Sequence, residues 1–291
     1  MEQLASAVPL FSVIIPTRHR NDVLAECLRR LAPGVQTLSA SRFEVIVTDD
    51  GSAPTAEALI KEHFQWAGWT LGPRQGPAAN RNHGAKQARA AWLVFCDDDC
   101  LPEPGLLSAY SEAISNNPEV QVFEGRTSAE GAQPHPLARA PINEEGGSLW
   151  SCNFAIRRSL YEALGGFDER FPFAAMEDSD LQIRLEKRGE RIVFVPAAHV
   201  AHPWLVPDYR RHWARHLKSQ MIFLRIHPEE KHRFSVWAYW KVITNYYLRH
   251  FIPCLRYWGW PALKHQPLTL WGIVITSYVL IFKPDPRKMR A

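Results

Sequence analysis

The feature that most constrains this chain is an alternation. Through the first 200 residues, short runs of β-branched and aromatic residues take turns with stretches of helical periodicity. Ser12, Val13, Ile14 and Ile15 read as a buried strand, and Leu24, Leu28 and Leu31 form one helix face stopped by Pro33 and Gly34. Residues 43–47 predict a second strand, Ala56, Leu59, Ile60 and Phe64 a helix, and the neighbourhood of Trp69 a short strand. Residues 78–91 then predict a helix, 92–96 a strand, 103–115 a helix and 120–123 a strand. Residues 124–148, rich in Gly, Pro and polar side chains, break the rhythm and read as a long loop. Beyond it, residues 152–156 and 192–195 predict strands on either side of a helix over 178–188 that Gly189 closes. Strands alternating with helices predict an α/β fold with a mostly parallel central sheet covered by helices on both faces.

Charge divides the chain differently. Residues 1–202 hold 19 Lys and Arg against 26 Asp and Glu, whereas residues 203–291 hold 15 against 4 and contain seven of the 11 tryptophans. An acidic body is therefore followed by a basic, aromatic tail, which calls for an anionic lipid, a nucleic acid or an acidic partner. With 46% hydrophobic and 22% charged residues, the chain is neither disordered nor a many-span membrane protein. The five cysteines, Cys27, Cys96, Cys100, Cys152 and Cys254, show no C-x-x-C or zinc spacing and read as reduced thiols. The apolar run at 11–15 is too short for a signal peptide, so the expected location is cytoplasmic.

In sheets of this class ligands gather beyond the carboxyl ends of the strands. Polar clusters fall there: Pro16 to Arg20 after the first strand, Asp49-Asp50-Gly51-Ser52 after the second, and Asp97-Asp98-Asp99 after the fourth. Packed carboxylates repel one another and are costly to desolvate, and a divalent cation offsets both costs. Asp97 and Asp99 are spaced to hold Mg²⁺ or Mn²⁺ while leaving positions for diphosphate oxygens; the alternative is a solvated acidic turn. A second acidic cluster, Glu177, Asp178 and Asp180, opens a predicted helix, where helix capping is the alternative to catalysis. Gly165, Gly166, Phe167, Asp168 and Glu169 lie just before it, and Asn153 adds an amide from the preceding strand.

Taken together, these motifs resemble glycosyltransferase family 2. Val13 to Thr17 with Arg20, then Asp49 to Ser52, resemble its nucleotide-binding opening; Ala79-Asn80-Arg81-Asn82-His83-Gly84 resembles its A-R-N-x-G segment; and Asp97 to Asp99 resembles its D-x-D motif. Asn153 to Arg158, Gly165 to Glu169 and Glu177 to Leu185 resemble the acceptor half. The resemblance implies a Rossmann-like GT-A fold over residues 1–205, with a nucleotide-binding half near 9–100 and an acceptor half near 101–205. It implies that Pro16, Thr17, Arg20, Asp49, Asp50 and Asp98 line the donor nucleotide, with Asp49 accepting from the base, and that Arg81 steadies the nucleotide or its diphosphate. Asp97, Asp99 and His202 would serve Mn²⁺ or Mg²⁺, with His199 the other candidate histidine. Asn153, Gly165 and Gly166 would belong to the acceptor or sugar pocket, and Asp178 would be the catalytic base with Glu177 in support.

The implied reaction moves a sugar from a nucleoside-diphosphate sugar to a hydroxyl of a lipid-linked or polysaccharide acceptor, with inversion, in cell-envelope or exopolysaccharide synthesis. The tail fits that setting. Trp213, Leu217, Met221 and Leu224 predict a helix face, and residues 268–282 form an uncharged run of 15 followed by Lys283, Arg287, Lys288 and Arg290. That run is shorter than the ~20 residues of a membrane span, so residues 206–291 read as a helical region lying on a membrane surface. A monotopic or peripheral enzyme at the inner face of the plasma membrane is expected. No nucleic-acid partner is expected, and nothing in the sequence excludes a homo-oligomer. The rivals are a sugar-1-phosphate nucleotidyltransferase and a noncatalytic membrane or nucleic-acid adaptor. The first wants a glycine-rich phosphate loop after strand one, yet the first glycine is Gly34; the second is disfavoured by the acidic body.

Overall fold

The computed structural model describes residues 8–134, 138–206 and 208–234, with 255–256 and 259–260. They fall into two compact units: one of residues up to Gly131 together with Ala140–Pro203, the other of Ala132–Arg139 and residues from Trp204 onward.

The first unit follows the predicted alternation: β1 (Phe11–Thr17), α1 (Asn21–Leu31), β2 (Phe43–Asp49), α2 (Glu57–His63), β3 (Gly68–Leu71), α3 (Pro77–Lys86) and β4 (Trp92–Cys96). β5 (Leu101–Pro102), α4 (Leu106–Asn116), β6 (Val122–Ala129), β7 (Asn153–Arg157), α5 (Arg158–Ala163), α6 (Glu177–Lys187) and β8 (Ile192–His202) complete it. Among the described residues the sheet order is β3-β2-β1-β4-β7-β6-β8-β5. The β3-β2-β1-β4 half is parallel, whereas β7 runs antiparallel to both β4 and β6. The sheet is therefore mixed at its centre.

Both faces are apolar, as buried strands require. Leu24, Cys27, Leu28 and Leu31 of α1 pack with Val13, Ile15, Val45 and Val47 on one face. Ile14, Ile46, Leu93 and Phe95 meet Phe154, Tyr161, Phe167 and Leu181 on the other. There Phe95 stacks on Phe154 at 4.9 Å between ring centres and meets Phe167 edge to face at 5.3 Å. Such aromatic contacts contribute beyond their buried area.

Several boundaries differ from the sequence reading. The helix expected over 78–91 stops at Lys86, because residues 89–90 turn back to β1 and β2: Arg89 N donates to Glu44 at 2.8 Å and Ala90 N to Ser12 Oγ at 3.1 Å. The first part of the predicted 124–148 loop is strand, since β6 runs on to Ala129 beside β8. β8 extends to His202 rather than ending near residue 195, and its register shifts opposite Gly125 and Arg126. Such a bulge re-aims the side chains that follow it. Residues 143–148 are tethered by Glu124, whose carboxylate accepts from Gly147 N at 2.7 Å, Ser148 N at 2.9 Å and Asn143 Nδ2 at 3.1 Å.

In the second unit, α7 (Tyr209–Ile226) is followed by a 3-10 turn, Pro228–Phe234. Its buried positions include Ser219, Gln220 and Phe223, while Leu217, Met221 and Leu224 are only partly covered. The buried stripe thus lies beside the predicted one. No helix among the described residues is long and apolar enough to cross a membrane. The uncharged run at 268–282 lies outside the described residues, as does the side chain of Trp213.

Candidate active site

Strand direction decides which residues meet. β1, β2 and β4 are parallel and finish at one edge; β7 is antiparallel, with Asn153 opposite Cys96, so its first residue lies at that same edge. β8 runs parallel to β6 and brings its last residue, His202, there too. Thr17, Asp49, Asp97 to Asp99 and His202 are thereby gathered although up to 185 positions separate them.

The three consecutive aspartates after β4 have three different tasks. Asp98 points inward: its carboxylate accepts from Thr17 Oγ1 at 2.7 Å and from Arg20 Nε at 3.1 Å, and it pairs with the Arg20 Nη2. Burial pushes its pKa up, against the opposing pull of Arg20 and Thr17. Asp97 pairs with Arg81 at 2.6 Å; burial disfavours its charge, but the guanidinium wins and holds its pKa below the ordinary value. Asp99 takes Arg20 Nη2 at 3.0 Å on one oxygen and faces His202 Nε2 at 3.4 Å with the other. Nδ1 of His202 lies 2.8 Å from the carbonyl of Pro203. A carbonyl only accepts, so Nδ1 donates to it, and this bond turns Nε2 toward Asp99.

Helix α3 ties this edge together. Asn80 donates to Thr48 O at 2.8 Å and accepts from Thr48 Oγ1 at 2.7 Å. A side chain at Gly72 would collide with this amide and with Asp50, so the chain needs glycine there. Arg81, 3% exposed in its side chain, donates to Asp97 and to Glu177 at 3.1 Å, and its guanidinium lies 5.5 Å above the Phe167 ring. Asn82 accepts from Phe167 N at 2.9 Å and donates to Phe167 O at 2.8 Å and Glu169 at 2.9 Å. Three consecutive side chains on one helix thus hold β2, the β4 loop with α6, and the 165–169 turn.

Helix α6 carries the second acidic cluster. Met176 sits before it in the left-handed region at φ 70°; His19 and Arg74, at φ 53° and 60°, are the other such non-glycine residues among the described ones, and all three lie in loops at this edge. Strained backbone of this kind concentrates at functional sites. Glu177 is buried, and its pKa is pushed up to about 8 by burial and by the neighbouring Asp178, in spite of Arg81. Asp178 is partly exposed; burial also raises its pKa, while Ser179 N, donating at 2.7 Å, opposes the shift.

Other expected site residues have internal duties. Asp49 is buried and accepts from the backbone of its own loop, Gly51 N at 2.7 Å and Ala56 N at 2.6 Å, so part of its acceptor capacity shapes that loop. Asp50 does the same for Arg74 N at 2.8 Å and Gly76 N at 3.2 Å. Asn153 is placed behind the site, not in a pocket: it accepts from Tyr110 Oη at 2.8 Å and donates to Arg126 O at 2.8 Å and Ala198 O at 3.0 Å, clamping the β8 bulge. Gly165 and Gly166 form a left-handed turn whose carbonyl side is held by Arg184, which donates to Leu164 O at 2.9 Å and Gly166 O at 2.8 Å. Arg81 meets carboxylates where the resemblance implied a diphosphate. His199 lies on the other face of β8 from His202, within 3.1 Å of Arg126 and 2.8 Å of Ser128. Asn80, Asn82 and Arg184 were not singled out as site residues, although the A-R-N-x-G segment contained the first two.

The sequence profile described as Glycosyl transferase family 2 matches residues 12–165, more than half of the chain. The chain belongs to glycosyltransferase family 2. A second profile, Glycosyl transferase family group 2, matches residues 144–283. The chain is 28% identical over 280 residues to validoxylamine A glucosyltransferase of Streptomyces hygroscopicus subsp. limoneus, covering 78% of this chain and 59% of that protein. It is 28% identical over 246 residues to N-acetylglucosaminyl-diphospho-decaprenol L-rhamnosyltransferase of Mycobacterium tuberculosis, covering 68% and 79%. Among solved structures, S. aureus TarS 1–349 in complex with UDP-GlcNAc superposes with a TM-score of 0.54 at 18% identity, over 70% of this chain and 64% of that one. The fold is thus the GT-A fold expected from the motifs.

A divalent cation is implied by the family, and the donor set fits one. Asp99, Cys100 and His202 present ligand atoms within 4.8 Å of one another. Contact with Cys152 opposes it, but Cys96 and burial push the Cys100 thiol well above its ordinary pKa, so it stays a neutral thiol. An oxygen-seeking ion such as Mg²⁺ or Mn²⁺ would take Asp99 and the lone pair of His202 instead.

Proposed function

We propose that this family 2 chain transfers a sugar from a nucleoside-diphosphate sugar to a hydroxyl of a lipid-linked or glycan acceptor, with inversion at the anomeric carbon. The single observation that carries the reading is the chain of contacts Asp97–Arg81–Glu177, which joins the aspartate loop after β4 to the acidic start of α6. One end has the chemistry to receive a diphosphate, the other to remove a proton. TarS, which shares the fold, binds UDP and UDP-GlcNAc, and the name of the mycobacterial relative describes a diphospho-decaprenol substrate. Both support the substrate classes proposed here.

Asp99 and His202 would hold Mn²⁺ or Mg²⁺, and the bound ion would supply Lewis-acid stabilisation to the departing diphosphate. Thr17, Arg20 and Asp98 shape the donor pocket from beneath. Asp178, partly exposed beside buried Glu177, accepts the proton of the attacking hydroxyl, and its raised pKa brings it closer to working pH, where a general base is most effective. The basic tail supports attachment to an anionic membrane surface where a lipid-linked acceptor is presented. The envelope or exopolysaccharide role follows from that acceptor class.

The test is a screen for hydrolysis and transfer of UDP-, GDP- and dTDP-sugars with Mn²⁺, with Mg²⁺ and with chelator. Once a donor is found, Asp178→Asn should reduce turnover by about 10² to 10⁴ with donor affinity nearly intact. Absence of turnover with every donor, or full turnover in the variant, overturns the corresponding part of the reading.

A further inference from the structure

Arg81 is the most enclosed cation of the edge, and its position does not match that of a simple phosphate ligand. Its two terminal nitrogens go to carboxylates on different elements: Nη2 to Asp97 after β4 at 2.6 Å and Nη1 to Glu177 at the start of α6 at 3.1 Å. The Phe167 ring lies 5.5 Å from its centre and limits its sideways movement. Arg81 Nε and Glu177 Oε2 are both buried without a hydrogen-bond partner. Buried polar atoms seldom remain unpaired unless something else over-determines the geometry. Here the two terminal-nitrogen contacts do so, because the planar fork cannot turn its Nε toward Glu177 Oε2 without loosening its hold on Asp97.

We propose that Arg81 is a positioning residue that couples the two ends of the site: by gripping Asp97 and Glu177 at once, it sets the β4 loop that receives the donor and the α6 start that carries Asp178 in one mutual geometry. The inference rests on the donor and base ends assigned above and adds the link between them. A lysine keeps the charge but offers one compact ammonium instead of a fork, so it cannot reproduce both contacts. Misplacing a reacting group by about 1 Å costs about 10²-fold in rate. Arg81→Lys should therefore lower kcat by about 10²-fold and leave diphosphate affinity within a fewfold of wild type. Glu177→Met keeps the length but removes the oxygen that accepts from Arg81, so it should fall by a similar factor. The double variant should be little worse than either single one, because both break the same link.

The experiment uses the full chain. Calorimetry with UDP, GDP and dTDP in the presence of Mn²⁺ gives affinity, and release of diphosphate from UDP-glucose, GDP-mannose and dTDP-glucose gives turnover, with thermal melting of every variant alongside. Loss of kcat at unchanged affinity, with non-additive losses in the double variant, is the expected result. Weakened diphosphate binding at unchanged kcat would make Arg81 a phosphate ligand and overturn the proposal. Additive losses, or a melting change with turnover intact in the folded protein, overturn it as well. Should Arg81→Lys fail to fold, Glu177→Met alone decides, since it must lose kcat and keep affinity. A wild-type chain that binds none of the diphosphates refutes the donor assignment itself, a result distinct from any of these.

Discussion

His202 and Asp99 face each other at the end of the sheet, Nε2 to Oδ1 3.4 Å apart, with the ring oriented by its own Nδ1 bond to Pro203 O. One belongs to the last strand of the first unit and the other to the loop after β4, so the pair exists only in the folded chain. Their juxtaposition makes metal dependence testable. Asp99→Ala and His202→Ala should each reduce Mn²⁺-dependent nucleoside-diphosphate binding by at least tenfold in calorimetry, in line with the loss of a ligand from a small oxygen and nitrogen set. Metal-independent binding of equal strength in the variants would remove both residues from that role.

The raised pKa of Glu177 makes a prediction about stability. Its folded-state value, about 8, lies above the ordinary 4.5, so between these values the unfolded chain has released a proton that the folded chain retains. Stability must therefore fall as pH rises through that window and level off above it. Glu177→Gln has no such proton. The melting temperature of wild type minus that of Glu177→Gln should decline from pH 4.5 to about 8, and a difference independent of pH would contradict the buried, protonated state.

Asn153 offers a test that separates scaffold from pocket. Asn153→Ala strands Tyr110 Oη and the carbonyls of Arg126 and Ala198. Each buried group left without a partner costs about 1–3 kcal/mol. Urea denaturation should show a clear loss of stability, while UDP and Mn²⁺ binding by the remaining folded protein persists. Unchanged stability with lost transfer would return Asn153 to an acceptor pocket.

Membrane attachment can be divided by salt. Attraction of Lys and Arg to anionic lipid is screened over about 8 Å at physiological ionic strength, whereas apolar insertion is not. Flotation with phosphatidylglycerol–phosphatidylcholine vesicles should retain much of the full chain at high salt if residues 268–282 insert. Complete release by salt leaves only the electrostatic component, and no binding at low salt overturns the membrane reading.

Sequence by itself determined the layered α/β fold. Strands buried on both faces must be continuously apolar, and α1 must show its stripe of Leu24, Leu28 and Leu31; these are local patterns that a linear reading detects. It also determined the family, because the motifs keep their order along the chain. Tertiary structure decided what each motif residue does. Asp97, Asp98 and Asp99 are chemically identical in the sequence, yet Arg81, Arg20 with Thr17, and His202 divide them into three roles. The sequence implies a diphosphate contact for Arg81, and α3 places it between Asp97 and Glu177, which are 80 positions apart. Asn153 looked like a pocket amide until the register shift between β6 and β8 gave it a bulge to clamp. A carboxylate, amide or guanidinium acts through the partners that meet it, and those partners come from strand direction and register, which periodicity along one segment does not encode.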